Sequence, residues 1–422
     1  MIEGRGLARV LLTVALALLA PGLGGATPVL FDWDAGLGSR GDFSDHGDGP
    51  VFDSRDSLSL AAGVSHEMGP GEMTYSVAGQ LVYLPQELAA GDPRTNEVLA
   101  YPSAVSVAWE MQPPGLRDPW MHAALGRMDA REPTGLLLED PLAVHPAQLL
   151  DGALVEVRYL GFYFSAQAGY LGLLDKRVNR VRFTDADARE LSDGPHYFAP
   201  PRGLAILRTE ADHLLAGQSL GLFGIWQKDF RAETPRLDTW YAGLVVNGQI
   251  LSWLRQATDV VVGISVPSAG STGAGLLVSS LVAMKLPGDL LHEAWLSGLW
   301  ASGRGGGLSE FPALAGPAVS PAFDVPLQDI VKVELGADAR LPVAPAGARL
   351  SPALTVCLLL VPSGTPAADY SFSLSGPFAG TEIALTLAYL PLDGFTVTAR
   401  GAALITVSAV LLSVQLDTGV RL

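Results

Sequence analysis

Charged residues recur at every second position in several stretches of the 422-residue chain, with apolar residues between them. The clearest stretch runs from Val331 to Arg340. Lys332, Glu334, Asp338 and Arg340 fall on one face with Gly336, and Val331, Val333, Leu335, Ala337 and Ala339 fall on the other. Arg127, Glu156, Arg158, Arg400, Asp417 and Arg421 hold equivalent places in other runs. Acidic and basic side chains opposed across a narrow aqueous space set a transverse field that sorts ions and polar solutes by charge. These ten residues are therefore the candidates for lining such a space. The competing role for any one of them is to pair with a neighbour and stiffen the wall.

Groupings for other chemistry are missing. The sequence has no Gly-x-Ser-x-Gly, no His-Glu-x-x-His and no phosphate-binding loop. Its histidines, at positions 46, 66, 122, 145, 196, 213 and 292, are scattered, and only His122 and His292 fall in expected strands. The glycine-rich segments 270–275 and 303–307 lack the strand–helix context of a phosphate site and read as turns. No catalytic residue and no cofactor is expected. Asp42, Asp45 and Asp48, with Asp53 and Asp56, crowd a segment read as loop 38–56. Carboxylates this dense suit Ca²⁺, which takes six to eight oxygens, but their spacing matches no calcium loop, and a solvated acidic loop is the reading preferred. Loop 174–202 mixes Lys176, Arg177, Arg180, Arg182 and Arg189 with Asp185, Asp187, Glu190 and Asp193. Folded inward, it would constrict a central channel.

Period-2 alternation is the signature of a strand with two unlike faces. Besides 331–340 it marks 29–37 and 412–422, where Leu412, Val414 and Leu416 alternate with Ser413, Gln415 and Asp417. Fifteen more runs lie between 57–65 and 394–404, which makes eighteen, or sixteen if the short run 203–209 or part of 250–286 is misread. Most have the length a tilted membrane strand needs. Connections alternate in length. Segments such as Leu160-Gly161, 210–215, Asn247-Gly248-Gln249 and Pro391-Leu392-Asp393-Gly394 are short and rich in turn residues. The intervening ones, such as 38–56, 128–151, 174–202 and 303–328, are longer. Short periplasmic turns and long external loops are how outer-membrane barrels are connected. Aromatics beside the expected turns (Trp109 with Trp120, Tyr159 with Phe162, Tyr389 with Phe395) and at a strand start (Trp240, Tyr241) fit interfacial girdles.

Composition narrows the class further. Only 17% of residues are charged and mean hydropathy is +0.30, well on the apolar side of a soluble chain of this size. Yet the longest uncharged stretch, 260–284, contains Pro267 and four glycines and makes a poor helix. A closed barrel is the other structure that satisfies every backbone group in lipid. Arg5 and Arg9, the apolar run 10–20 and the small residues before Thr27 read as a signal peptide over 1–26, with a single barrel domain over 27–422. The net charge of −16 argues against a nucleic-acid partner. The lone Cys357 excludes an internal disulfide.

Gly126-Arg127 ends one expected strand, and Asp151-Gly152 opens the next, which continues Ala153-Leu154-Val155-Glu156-Val157-Arg158-Tyr159. This arrangement, on nearly the whole length of an alternating chain, resembles the substrate-selective porins and alginate-export-type barrels of bacterial outer membranes. It differs in ending on Leu422, where porins carry Phe or Trp. The resemblance implies a transmembrane antiparallel β-barrel of eighteen or so strands, passive diffusion of ions or small hydrophilic solutes, and contact with outer-membrane lipids and the barrel-assembly machinery. It leaves oligomeric state open. A plugged barrel serving as a surface binding or adhesion protein is the alternative, and an outer-membrane enzyme a more remote one.

Overall fold

The computed structural model describes residues 29–421 apart from 46–49, 69–70, 85–96, 113–119, 139–148, 172–201, 216, 231–235, 269, 289, 304–307, 310, 313, 315–318, 321–324, 326, 344–347, 364–376, 393–394 and 408–409. Residues 1–28, where the signal peptide is expected, and most of loop 174–202 lie outside the described residues. All described strands belong to one antiparallel sheet in which each pairs with its chain neighbours. The first strand, β1 (Val29–Asp45), pairs with both β2 (Pro50–Met68) and the last, β19 (Val410–Arg421), so the sheet closes on itself. Closure leaves no edge whose backbone would face lipid unpaired. Strand β14 (Ile330–Ala339) and the two-residue β15 (Leu341–Pro342) pair in one continuous register with β16 (Arg349–Leu360), so they form a single stave broken at Arg340. The barrel therefore has eighteen staves.

The alternation expected from sequence is the one observed. On β14 Val333 and Leu335 are exposed, Leu335 to 61%, while Lys332 and Glu334 lie on the other face. On β19 Leu412, Val414 and Leu416 are each about half exposed, and Ser413 and Gln415 are buried. Apolar side chains left open around a whole barrel, with polar ones enclosed, invert the pattern of a water-soluble protein, and only a hydrocarbon surround makes that arrangement stable. Leu335→Arg should accordingly cost about 2–4 kcal/mol of stability in a bilayer, the penalty for a cation facing lipid near mid-depth. Denaturant unfolding in liposomes measures it; an unchanged midpoint would mean that Leu335 does not face lipid.

Several boundaries differ from expectation. The segment read as loop 38–56 is mostly strand: β1 continues to Asp45 and β2 starts at Pro50. Gly38 and Gly41 interrupt the apolar alternation, but the backbone ladder runs on through Gly38↔Ser57 and Asp42↔Asp53. These polar strand ends rise past the apolar band, where pairing needs no hydrophobic stripe. Asp42 and Asp45 thus stand on a strand, and Asp48 lies outside the described residues. The run read as 203–209 is β8 (Arg202–Leu215). Asn247-Gly248 is not a turn: β10 (Leu237–Leu251) passes through it and turns at Ser252-Trp253 into β11 (Leu254–Pro267). Gly248 is needed there for another reason, since a Cβ would sit 2.3 Å from the Gly217 carbonyl oxygen.

The turn Leu160-Gly161 joins β6 (Leu149–Tyr159) to β7 (Phe162–Leu171) as expected. Its φ values of 49° and 78° are those of a hairpin turn that matches strand twist. Aromatic rings collect near both ends of the staves. Tyr159, Phe162 and Trp253 are exposed at the short-turn end, and Trp226 stacks on Trp240 at 5.4 Å towards the other. Tyr241 departs from the expected girdle. Next to outward Trp240, it must face inward, and it is only 3% exposed.

Candidate functional site

The interior is narrowed by two connections that fold back into it. The first is the segment 130–138, which follows β5 (Trp120–Asp129). Its start is tied to the wall by Gln167 of β7, whose Nε2 donates to the Asp129 carbonyl (2.8 Å) and whose Oε1 accepts from the Arg131 N–H (3.0 Å). Glu132 then shapes it, accepting the N–H groups of Thr134 (2.8 Å) and Leu137 (2.9 Å). Leu137 and Leu138, at its end, are fully buried.

The second is the connection between β13 (Leu291–Ala301) and β14. Ser302 anchors it: its carbonyl accepts from Phe311 N–H (2.9 Å), and its hydroxyl donates to the Ser309 carbonyl (2.8 Å). The Tyr241 hydroxyl donates to the Pro312 carbonyl, and Lys332 Nζ donates to the Val319 carbonyl at 3.0 Å. Phe311, Leu314, Val325 and Leu327 join wall residues Tyr241, Val261 and Leu277 in one apolar cluster. The glycine-rich segment read as a turn explains how they fit. Only its first residues turn, because β12 (Gly273–Lys285) starts at Gly273. A Cβ on Gly275 would lie 2.5 Å from the Phe311 Cα, so glycine is what lets the connection lie flat on the wall. Neither infolded segment was legible as such in the sequence, although the Leu136-Leu137-Leu138 run inside a polar loop was a signal for burial.

The charged candidates form separate groups. On the β5–β7 wall Glu156 is 5% exposed and central. Its carboxylate meets His122 Nδ1 at 2.9 Å, accepts the Tyr163 hydroxyl, and has Arg131 Nη1 at 3.8 Å. Arg158 stands nearer the turn, exposed, with its guanidinium 5.8 Å from the Tyr163 ring; Arg208 lies 5.2 Å from the same ring and pairs with Glu210 at 2.5 Å. On the opposite stretch of wall Lys332 pairs with Glu334 at 2.8 Å, and Trp295 Nε1 donates to Glu334 at 2.9 Å. Arg400, on β18 (Phe395–Ile405), approaches Glu382, on β17 (Phe378–Leu392), at 3.7 Å.

Asp338 lies near the turn end, accepting the Glu293 N–H at 2.8 Å, with His292 Nδ1 at 3.5 Å. Arg340 is exposed where the stave breaks. Asp417 sits between Arg40 and Thr398 in register, and Arg421 opposite Gly36. Among the described residues no group of three or more His, Cys, Asp or Glu is placed to hold a metal ion.

Arg127 and Asp151, which the sequence reading placed at the end of one strand and the start of the next without pairing them, meet. They are directly opposite on β5 and β6, with Arg127 Nε and Nη2 each 2.8 Å from an Asp151 carboxylate oxygen, and Arg127 Nη1 3.2 Å from the Pro102 carbonyl on β4 (Glu97–Met111). Gly126 faces Gly152, which faces Gly169. Gly126 has φ 126°, and a Cβ on Gly152 would lie 2.0 Å from the Ala168 carbonyl oxygen, so in this row neighbouring backbones approach too closely for a side chain.

Sequence reasoning did not single out Arg131, Glu132, Tyr163, Asp259 or Phe311. Asp259 is on the inward face of β11 with Val261 and Gly263, directly between Val245 and Ser279 in register. Its odd position amid the outward Val262 and Ile264 was the available signal.

No family model and no curated protein sequence matches the chain. Among solved structures it is similar to Pseudomonas aeruginosa OccK2 (OpdF) in complex with glucuronate, with a TM-score of 0.62 and 13% identity over 93% of this chain and 98% of that one. It is similar to the outer membrane protein OpdK of the same organism, solved with vanillate, with a TM-score of 0.62, 14% identity and the same coverage. Acinetobacter baumannii OccAB4 matches with a TM-score of 0.61 at 11% identity, again over 93% and 98%. At these identities the likeness is one of fold: the chain has the porin-type fold of these proteins, a closed antiparallel β-barrel of eighteen staves.

Proposed function

We propose that the protein is an outer-membrane channel for the passive diffusion of ions or small hydrophilic solutes, exported through a cleaved N-terminal signal peptide. The observation that carries this reading is the combination of an outer surface suited to lipid with an inner wall of charged side chains, narrowed by connections that fold in from one end. Charged groups facing one another across a confined space act as a filter, and no cofactor is needed for transport down a gradient. Arg127, Glu156, Arg158, Lys332, Glu334, Asp338, Arg340, Arg400, Asp417 and Arg421 are the wall charges from which selectivity is built. Two of the similar solved structures hold glucuronate and vanillate, both small carboxylates, which supports passage of solutes of that size.

A second reading has its own observation. Leu137, Leu138, Phe311 and Leu314 are at most 1% exposed, so the infolded segments close much of the interior with apolar packing. A barrel closed completely would serve as a platform for surface binding instead. Reconstitution of the purified protein in planar bilayers decides between them. The channel gives stable, ohmic single-channel steps; a silent bilayer containing correctly folded, heat-modifiable barrel rejects it in favour of the platform.

A further inference from the structure

The connection that folds into the barrel between β13 and β14 is pinned from two directions. Pro312 is held on β10 by the Tyr241 hydroxyl, and Val319 is held on β14, where Lys332 Nζ donates to its carbonyl at 3.0 Å. Val319 also donates its N–H to the Val325 carbonyl (2.8 Å) and packs in the apolar cluster. The carbonyl that Lys332 grips therefore belongs to a buried stretch that closes on itself.

Lys332 is held in turn. Its ammonium lies 2.8 Å from Glu334 Oε2, while Glu334 Oε1 accepts from Trp295 Nε1 at 2.9 Å. Trp295 is the register partner of Gly336, and its ring occupies the place where a Gly336 Cβ would stand. Gly336 shares the inward face of β14 with Lys332 and Glu334. A continuous line of contacts thus runs from the seated Trp295 indole through the Glu334 carboxylate and the Lys332 ammonium to the Val319 carbonyl.

This arrangement suits a support better than a filter. A filter charge must meet the passing solute, whereas the Lys332 and Glu334 side chains are only 16% and 20% exposed and engage each other and their protein partners. A hydrogen bond from an ammonium to a carbonyl is charge-assisted and roughly twice as strong as a neutral one. Enclosure strengthens it further, because little water competes. We infer that Lys332 is the positioning residue of the constriction: oriented by Glu334 and Trp295, it holds the infolded connection at Val319 and so sets the width of the passage. The inference rests on the channel reading and divides the wall charges by task. Lys332 and Glu334 shape the passage, and the others are left to act on the solute.

The test uses the full-length protein in planar bilayers. Lys332→Met keeps the length of the side chain and removes the ammonium. It should raise single-channel conductance by roughly 1.5-fold or more and add open-state noise, as the Val319 stretch leaves its seat. Lys332→Arg, which keeps a charged donor, should restore most of the wild-type behaviour. Trp295→Phe supplies a readout that a pure filter role would not move. It alters no charge and keeps a ring over Gly336, but it removes the donor to Glu334, and it should add noise in the same sense. Heat-modifiable migration checks that each variant folds, and Lys332→Gln takes the place of Lys332→Met if that variant does not. Wild-type conductance and noise in Lys332→Met, with only the reversal potential displaced, would make Lys332 a filter charge and overturn the inference. A Trp295→Phe channel indistinguishable from wild type overturns it as well. Either result leaves the channel reading standing, whereas a folded wild type without conductance steps overturns both.

Discussion

Replacing Phe311 by alanine should raise the single-channel conductance by on the order of twofold or more, and make the open current noisier, without unfolding the barrel. Phe311 is fully buried, yet it is no part of the wall: it belongs to a connection that lies against β10, β11 and β12. Truncating a buried phenylalanine in a core costs about 3–5 kcal/mol. Here the loss falls on the seating of one segment, since the wall strands keep their complete backbone ladders. Among the described residues the segment's other anchors include the Ser302 contacts, the Ser309 N–H donated to the Ala274 carbonyl, the Tyr241–Pro312 hydrogen bond and the Lys332–Val319 hydrogen bond.

Gly275→Val attacks the same seat from the wall side, because its Cβ would arrive 2.5 Å from the Phe311 Cα. The two variants should therefore share a phenotype. Heat-modifiable migration confirms that the barrel persists, and bilayer recordings give the conductance. Equal conductance in wild type and both variants would show that this segment does not limit the passage.

The barrel itself was readable because its defining constraint acts on every residue. Each membrane strand must present alternate side chains to lipid, so Val331 to Ala339 and Leu412 to Leu416 announce themselves without knowledge of their neighbours. Short turns were readable where chain reversal demands particular backbone angles, as at Leu160-Gly161. The errors share a cause. Asn247-Gly248 has hairpin chemistry, but its glycine answers to a neighbouring backbone, the Gly217 carbonyl, which sequence spacing does not reveal. Asp42 and Asp53 were placed in a loop because polar residues without an apolar stripe look unstructured; once the barrel closes, pairing from β19 on one side and β2 on the other extends the strand beyond the lipid.

The candidate site was legible in part. Inward charges followed from the cost of placing them in lipid, whereas the Arg127–Asp151 pairing was not foreseen, although the two residues end and open consecutive strands. Which charges neutralise one another did not follow. Glu382 meets Arg400 across two staves, and Arg131 reaches Glu156 only because its loop turns inward. The infolded segments escaped because their burial depends on tertiary contacts, as where the Phe311 segment lies against Tyr241, Gly263 and Gly275 of β10, β11 and β12. Tertiary contacts of that range leave no periodicity in the segment that makes them.

Arg127→Ala should be the most damaging single change to the wall, lowering unfolding stability by about 3 kcal/mol, the lower end for breaking a buried ion pair because Asp151 keeps some solvent access. The guanidinium is 8% exposed, while the Asp151 side chain is 26% exposed. Arg127 joins three consecutive strands, giving two parallel bonds to Asp151 on β6 and one to the Pro102 carbonyl on β4. It does so beside Gly126 and Gly152, where neighbouring backbones lie too close for any side chain to pack. Its removal strands a carboxylate in the wall. Lysine in its place offers one charge without the planar fork, so Arg127→Lys should recover only part of the loss. The double variant Arg127→Leu with Asp151→Leu should be more stable than Arg127→Ala, because no lone charge remains to be desolvated. Denaturant unfolding of the wild type, Arg127→Leu, Asp151→Leu and the double variant completes a double-mutant cycle. A coupling energy below about 0.5 kcal/mol, the value of an exposed surface pair, would mean that the Gly-Arg/Asp-Gly seam contributes geometry alone.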